Sequence, residues 1–346
     1  MTPRTWRLGT LLLALMLVLA ACGTGDESSA PTTESEPPTE SEAAPMESAA
    51  PSEAAGEPEI TELTVGTLPI VDVAPVYLAI NEGLFEAQGL SVTPEVMQGG
   101  AAAIPALQGG DLDIAFGAWP SFLIANQGGI DLRAVADGVA AAPGFTEFLA
   151  LPDSGLEGNP EGLAGTTIAL NTLGNLGELA TRVTLENAGL AWEDVTAVEL
   201  PFPDMGAALE GGTVDVIWSV EPGVTGNKNG IGAVTVVDSY VGDMEGFPVA
   251  GYMVTAEFAE ANPNTVAAFV RALELAVDMI ADDEQAVVDT ILTYTELPPE
   301  LVEKLSLPEY RATIDASVLQ RVYDQMLQYD MGEEGLDIES LVLSSD

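Results

Sequence analysis

The sequence contains no histidine and a single cysteine, Cys22. Without histidine there is no His–Cys zinc site and no histidine-based catalytic triad. With one thiol there is no internal disulfide. Basic residues are scarce: 9 Lys and Arg stand against 55 Asp and Glu, for a net charge of −46. Nucleic acid, whose phosphates require a basic face, is therefore disfavoured as a partner. Such an acidic surface suits high ionic strength, where self-repulsion is screened, although it reads equally as solvation without adaptive meaning. The N-terminal apolar run, residues 11–21, is too short to span a bilayer well.

What is present is enough for a folded protein of two lobes. The 346 residues exceed one average domain, and 47% are apolar. One stretch occurs twice. Residues 106–120 read ALQGGDLDIAFGAWP and residues 208–222 read ALEGGTVDVIWSVEP, at a constant offset of 102. Each copy has a helix end, a Gly-Gly stop, a strand and a proline-closed loop. If the match is not chance, two similar α/β lobes follow, and ligands of open α/β sheets collect beyond the carboxyl ends of strands. The spacing predicts that residues 118–120 and 220–222 face one another across a cleft.

Residues 1–21 read as a targeting segment: Arg4 and Arg7, an apolar run, then Leu19-Ala20-Ala21-Cys22. This resembles a bacterial lipobox, which makes Cys22 the lipidation site; an ordinary secretory signal is the alternative. Cleavage there leaves the protein anchored by its lipid, a palmitate-type chain, rather than spanning the membrane. Residues 22–59 are rich in Ser, Thr, Pro, Ala and Glu and read as an acidic, disordered tether. The first lobe takes residues 60–150 and 247–346, and an inserted second lobe takes 151–246.

Within the lobes, strand–loop–helix junctions mark candidate binding loops. A strand at 63–67 leads through Pro69 and Asp72 to a helix opening at Pro75 and running to about Ala87. A free helix N-terminus there can hold a polar or anionic group, or the loop can be a mere connection. A strand at 90–97 is followed by Gln98, Gly99, Gly100 and Ala101, then by a helix in which Pro105 sits awkwardly. Trp119, in the loop closing the first repeat, reads equally as a stacking wall or a packing residue. Thr172, Gly174 and Asn175 precede a helix, where Asn175 with Glu178 forms a capping-box-like start that needs no ligand. Glu221, closing the second repeat, is a candidate carboxylate whose plain alternative is solvation. A helical tail follows, with apolar spacing in 263–281 and helices near 285–295 and 317–329.

Pro75-Val76-Tyr77-Leu78-Ala79 with Glu82-Gly83-Leu84-Phe85-Glu86-Ala87-Gln88-Gly89-Leu90, the repeat copies, Leu163-Ala164-Gly165 and Glu221-Pro222 resemble bacterial solute-binding proteins of ABC importers. They are similar to the branch containing nitrate, taurine and aliphatic-sulfonate binders and binders of thiamine-pyrimidine precursors. The resemblance implies a two-lobed type II periplasmic-binding-protein fold. It implies a monomer that clamps a small solute and delivers it to a permease and its ATPase, at the outer face of the cytoplasmic membrane, without cofactor, metal or catalysis. Gly99-Gly100-Ala101 departs from the family's hydroxyl at this loop, which weakens a small oxyanion as solute. A neutral or cationic nitrogen compound then stands level with sulfonate, taurine or nitrate. A carboxylate-only enzyme or a ligand-sensing module on the same scaffold is the alternative.

Overall fold

The computed structural model describes residues 56–343. The targeting segment, Cys22 and nearly all of the acidic tether lie outside the described residues. The end of that stretch is tied into the fold. The Glu59 carboxylate accepts hydrogen bonds from the backbone N–H groups of Asn264 and Thr265, at 3.2 and 2.9 Å, at the start of helix Pro263–Asp282. A carboxylate at a helix N-terminus satisfies amides that have no partner within the helix.

Among the described residues, eleven strands form two sheets. They are β1 (Glu62–Thr67), β2 (Ser91–Val96), β3 (Ile114–Ala118), β4 (Leu132–Ala140), β5 (Thr146–Ala150), β6 (Thr167–Leu170), β7 (Thr196–Glu199), β8 (Val216–Val220), β9 (Val234–Asp238), β10 (Pro248–Thr255) and β11 (Glu309–Tyr310). The first sheet runs β11-β4-β10-β3-β1-β2 and the second β7-β6-β8-β5-β9. Leaving out the short edge strand β11, the two orders are the same. In each, the first strand lies between two parallel partners, β1 between β2 and β3, β6 between β7 and β8. In each, an antiparallel strand separates the third from the last: β10 in one sheet, β5 in the other. The repeat strands β3 and β8 hold the same place in their sheets.

The antiparallel strand is in both cases the first one after the chain crosses over. This is why residues 146–150, which follow β4 closely and look like part of the first lobe, hydrogen-bond into the second sheet. The crossover falls at residues 141–145. Two further sequence expectations shift locally. The helix opening at Pro75 stops at Asn81, because Gly83 takes a left-handed φ of 68°; a short helix, Leu84–Ala87, follows. Pro105 does not delay its helix, which runs Gly100–Gly109 with the proline inside it.

Both sheets alternate in the period of two that pleating imposes. On β8, Val216, Trp218 and Val220 join the main core, whereas Ile217 joins a separate cluster with Leu149, Ala169, Met205 and Leu209 under helix Phe202–Glu210. Tail helices pack on the first lobe: Tyr294 stacks on Tyr77 at 4.0 Å, and Phe269 on Phe85 at 5.2 Å.

Candidate functional site

A cavity of about 40 Å³ lies where the carboxyl ends of the matched strands meet. The first sheet contributes Leu68, Ile70 and Asp72 after β1, Gly100 after β2, and Phe116, Gly117 and Ala118 at the end of β3. The second contributes Asn171 and Asn175 after β6, Phe202 after β7, Trp218 and Val220 at the end of β8, and Tyr240 after β9. Phe145, Thr146, Val249 and Ala250 close it from the two crossover strands. A larger concavity, about 690 Å³, lies at the other end of β3, between residues 107–113 and 255–262. Its rim residues Gln108, Gly110, Asp131 and Glu257 are exposed. It is a solvent groove at the amino end of the strand, the wrong end for a ligand site in this architecture.

The predicted loops do meet across the lobes, but mostly as a seam beside the cavity. The Gln98 side-chain amide donates to Asn171 O at 3.0 Å, and Asn171 Nδ2 donates back to Gln98 O at 3.3 Å. Val71 N donates to Glu221 O at 3.1 Å, and Ser121 Oγ to Gly174 O at 3.1 Å. Gly99 is buried so close to the opposite loop that an added Cβ would stand 2.8 Å from Asn171 Nδ2 and 3.3 Å from Thr172 Oγ1. Of the predicted residues, Asp72, Gly100 and Asn175 line the cavity; Gln98, Gly99, Thr172 and Gly174 form the seam. Pro69 and Ala101 are half-buried neighbours of lining residues. Asn175 caps helix Leu176–Asn187, accepting from Glu178 N at 3.2 Å, while Glu178 accepts from Gly174 N.

Trp119 and Glu221 do not line the cavity. Ala118 and Val220, one residue earlier in each repeat copy, do. Alternation along β3 and β8 sends Phe116 and Ala118, and Trp218 and Val220, to the cavity, and turns the following residue inward. Trp119 begins a helix, Trp119–Gln127, and is fully buried against Phe122 and over Gly251, where an added Cβ would stand 2.2 Å from the indole. Its indole N–H lowers the Asp137 carboxyl somewhat without a well-formed hydrogen bond; burial still pushes Asp137 up to about 6. The Glu221 carboxylate, 1% exposed, accepts from Thr225 N at 2.9 Å, Thr225 Oγ1 at 2.7 Å and Ser306 N at 3.3 Å. Burial pushes it up to about 7 against those donors, with Glu147 adding to the rise. The Glu221 carboxylate is engaged, and the Trp119 ring packed, within their own surroundings.

Asp72 is different. It is 2% exposed, it lines the cavity, and its Oδ1 has no hydrogen-bond partner. Burial pushes its carboxyl up to about 7, with only its own backbone N–H acting the other way. From the second sheet, Thr146 and Tyr240 line the same cavity and their buried hydroxyls also lack partners of good geometry; burial and the Asp72 charge raise the Tyr240 phenol, with Thr146 acting the other way. Two more tyrosines support the Asp72 loop from the tail: Tyr294 and Tyr310 donate to Ile70 O and Val71 O, each at 3.0 Å.

Among the described residues, no lysine or arginine lines the cavity. Two of the nine, Arg4 and Arg7, precede Cys22. The other seven are engaged elsewhere: Arg133 with Asp131, Arg182 with Glu178, Lys228 with Glu147, Arg311 with Glu309, Arg271 with Gln88, Lys304 with Asn229, and Arg321 with the carbonyls of Glu245 and Gly246. Among the described residues, no cluster of three or more His, Cys, Asp or Glu could hold a metal, and no helix is long and apolar enough to cross a membrane. The aromatic lining (Phe116, Phe145, Phe202, Trp218) and the residues of β5 escaped the sequence reading. The signal for Phe116 and Trp218 was present, two residues before each repeat's last strand position.

Residues 56–291 match the sequence profile of the NMT1-like family. No curated protein matches the sequence. Among solved structures, the chain is similar to the alkanesulfonate-binding protein SsuA of Xanthomonas axonopodis pv. citri, bound to MOPS, with a TM-score of 0.72 at 21% identity over 82% of this chain and 99% of that one. It is similar to the periplasmic nitrate-binding protein NrtA of Synechocystis PCC 6803, TM-score 0.70 at 14% identity, over 82% and 86% of the two chains. It is also similar to the desulfurization enzyme DSZB, TM-score 0.62 at 18% identity, over 83% and 97%. These structures share the two-lobed fold.

Proposed function

The chain belongs to the NMT1-like family, and from that premise we propose that it is the extracytoplasmic solute-binding component of an ABC importer. It closes its two lobes on a small solute and delivers it to a permease and its ATPase. A lipid on Cys22 holds it, as a monomer, at the outer face of the cytoplasmic membrane. The observation that carries the reading is the cavity itself. It is built from corresponding strand ends of two topologically matched sheets, with unpartnered polar groups from both. A ligand that touches both sheets favours the closed state by its differential contacts, which is how a hinge protein is switched.

The binding proteins among its structural neighbours support this reading, through sulfonate and nitrate as the solutes named for them. The neighbouring desulfurization enzyme keeps an enzyme reading in view. The cavity lining argues against it. Among the described residues, Asp72 and Tyr240 are its only titratable groups, and the Tyr240 phenol is pushed well above its ordinary value, chiefly by burial. General acid–base work needs groups poised near the working pH, and here at most one is. Thermal melts with taurine, ethanesulfonate, nitrate and 4-aminopyridine test the capture reading. A rise of several degrees with one of them, saturating with concentration, is expected. A melting temperature that none of them moves contradicts it.

A further inference from the structure

We propose that the cavity selects its solute by an N–H group held on the Asp72 carboxylate. It takes compact nitrogen rings or amines and turns away solutes whose only polar group is an anion. This rests on the capture reading and specifies what is captured.

Three observations converge on one place. Asp72 lines the cavity, and its buried Oδ1 has no donor. An acceptor removed from water and left without a partner is unfavourable, and a solute N–H restores what burial took away. Next, the cavity has no cation of its own, so nothing there neutralises an anion beside Asp72. Finally, the walls are aromatic: Phe116 from the first sheet, and Phe145, Phe202 and Trp218 from the second. Ring faces accommodate a flat ring or an ammonium group far better than a compact hydrated anion. Thr146 and Tyr240, contributed by the second sheet, carry hydroxyls that can each donate or accept and so serve a second polar atom of the solute.

The helix N-terminus at Gly100 also borders the cavity and favours an acceptor. The one at Leu176 is already capped by Asn175. A solute carrying both a donor and an acceptor uses Asp72 and Gly100 together; an anion alone faces the carboxylate. An anion could bind only if Asp72 were protonated, and that alternative has the opposite pH dependence. The groups coupled to Asp72 are the buried Tyr240 and Tyr252 and the half-buried Tyr294 and Tyr310, all raised chiefly by desolvation, so all are neutral where Asp72 titrates. Asp72 itself, raised to about 7 by burial, sets the sign. N–H binding strengthens from about pH 6 to about pH 8, and anion binding through a protonated carboxyl weakens.

The test is calorimetric titration of the full-length protein in detergent with two matched pairs: taurine against ethanesulfonate, and 4-aminopyridine against isonicotinate. At least one N–H-bearing member should bind about tenfold or more tightly than its partner, more tightly at the higher pH. Asp72→Asn should weaken that binding by about tenfold or more, with no fall in melting temperature. Binding of the anions alone overturns this inference and leaves the capture reading standing. Equal binding within both pairs, or N–H binding unchanged in Asp72→Asn, also overturns it. Failure of all four to bind overturns the inference and counts against the capture reading as well. The pH series on the unmutated protein decides the matter even if the variant folds poorly.

Discussion

Asp72, Asp137 and Glu221 are all buried carboxyls pushed above their ordinary range, yet their surroundings differ. Glu221 has three donors; Asp137 Oδ1 accepts from Gly138 N while its Oδ2 has no partner; Asp72 Oδ1 has none and, unlike Asp137, Asp72 lines the cavity. The expected effects of replacing Asp72 and Glu221 have opposite signs. A carboxyl at about 7 in the folded protein and 3.8 otherwise keeps its proton longer when folded. Its effect on stability is nil at low pH. Stability then falls as pH rises from about 4 to about 7 and stays lower above, by on the order of 4 kcal/mol. Asp72→Asn removes that loss. Its melting temperature is expected to exceed that of the unmutated protein at about pH 8 and to match it near pH 4; a lower value at pH 8 would mean the carboxylate has a structural partner. Glu221→Ala acts the other way. It strands the donors of Thr225 and Ser306, with an expected loss of about 1–3 kcal/mol in denaturant melts. An unchanged midpoint would contradict the assignment of Glu221 as a buried structural acceptor.

At the scale of elements, pleating decides what the repeat means. The sequence announces where each repeat copy ends, and the structure places both ends at one cavity. Proline and a conspicuous side chain drew attention to Trp119 and Glu221, but β3 and β8 alternate, and the cavity receives the residues before them. Counting back by two from Ala118 and Val220 reaches Phe116 and Trp218, so this part of the site was legible in the pattern. Sheet membership of β5 was not. Nothing local in Thr146–Ala150 distinguishes pairing with β4's sheet from pairing with β8; only the global topology does. Asp72 was legible as a loop residue at a strand–helix junction, but its missing partner is a three-dimensional fact. Capping was local enough to read directly, as at Asn175 and Glu178. The seam gives a prediction at this scale. In Gly99→Val the new side chain meets Asn171 and Thr172 and displaces the Asn171–Gln98 bonds. Loss of about 1 kcal/mol of closure should weaken solute binding roughly fivefold, with circular dichroism unchanged. Full affinity in this variant would mean the seam does not take part in closure.

For the whole molecule, the duplicated strand order sets the geometry of the proposed closure on a solute. Each sheet presents its carboxyl edge to the other, and the chain crosses between them twice, at residues 141–145 and again before β10. The proposed anchoring is a separate property, assigned to Cys22 near the N-terminus. Cys22→Ala should move the protein from the membrane fraction to the soluble fraction while leaving solute affinity unchanged; retention in the membrane would contradict lipidation at Cys22. The central claim is that solute binds between the sheets. Hydrogen exchange, with and without whichever of the four probe solutes stabilises the protein most, tests it most directly. Protection is expected together at residues 68–73 and 98–101 of the first lobe and at 145–146 and 171–175 of the second. Protection confined to one sheet, or found instead around the groove at residues 107–113 and 255–262, would contradict it.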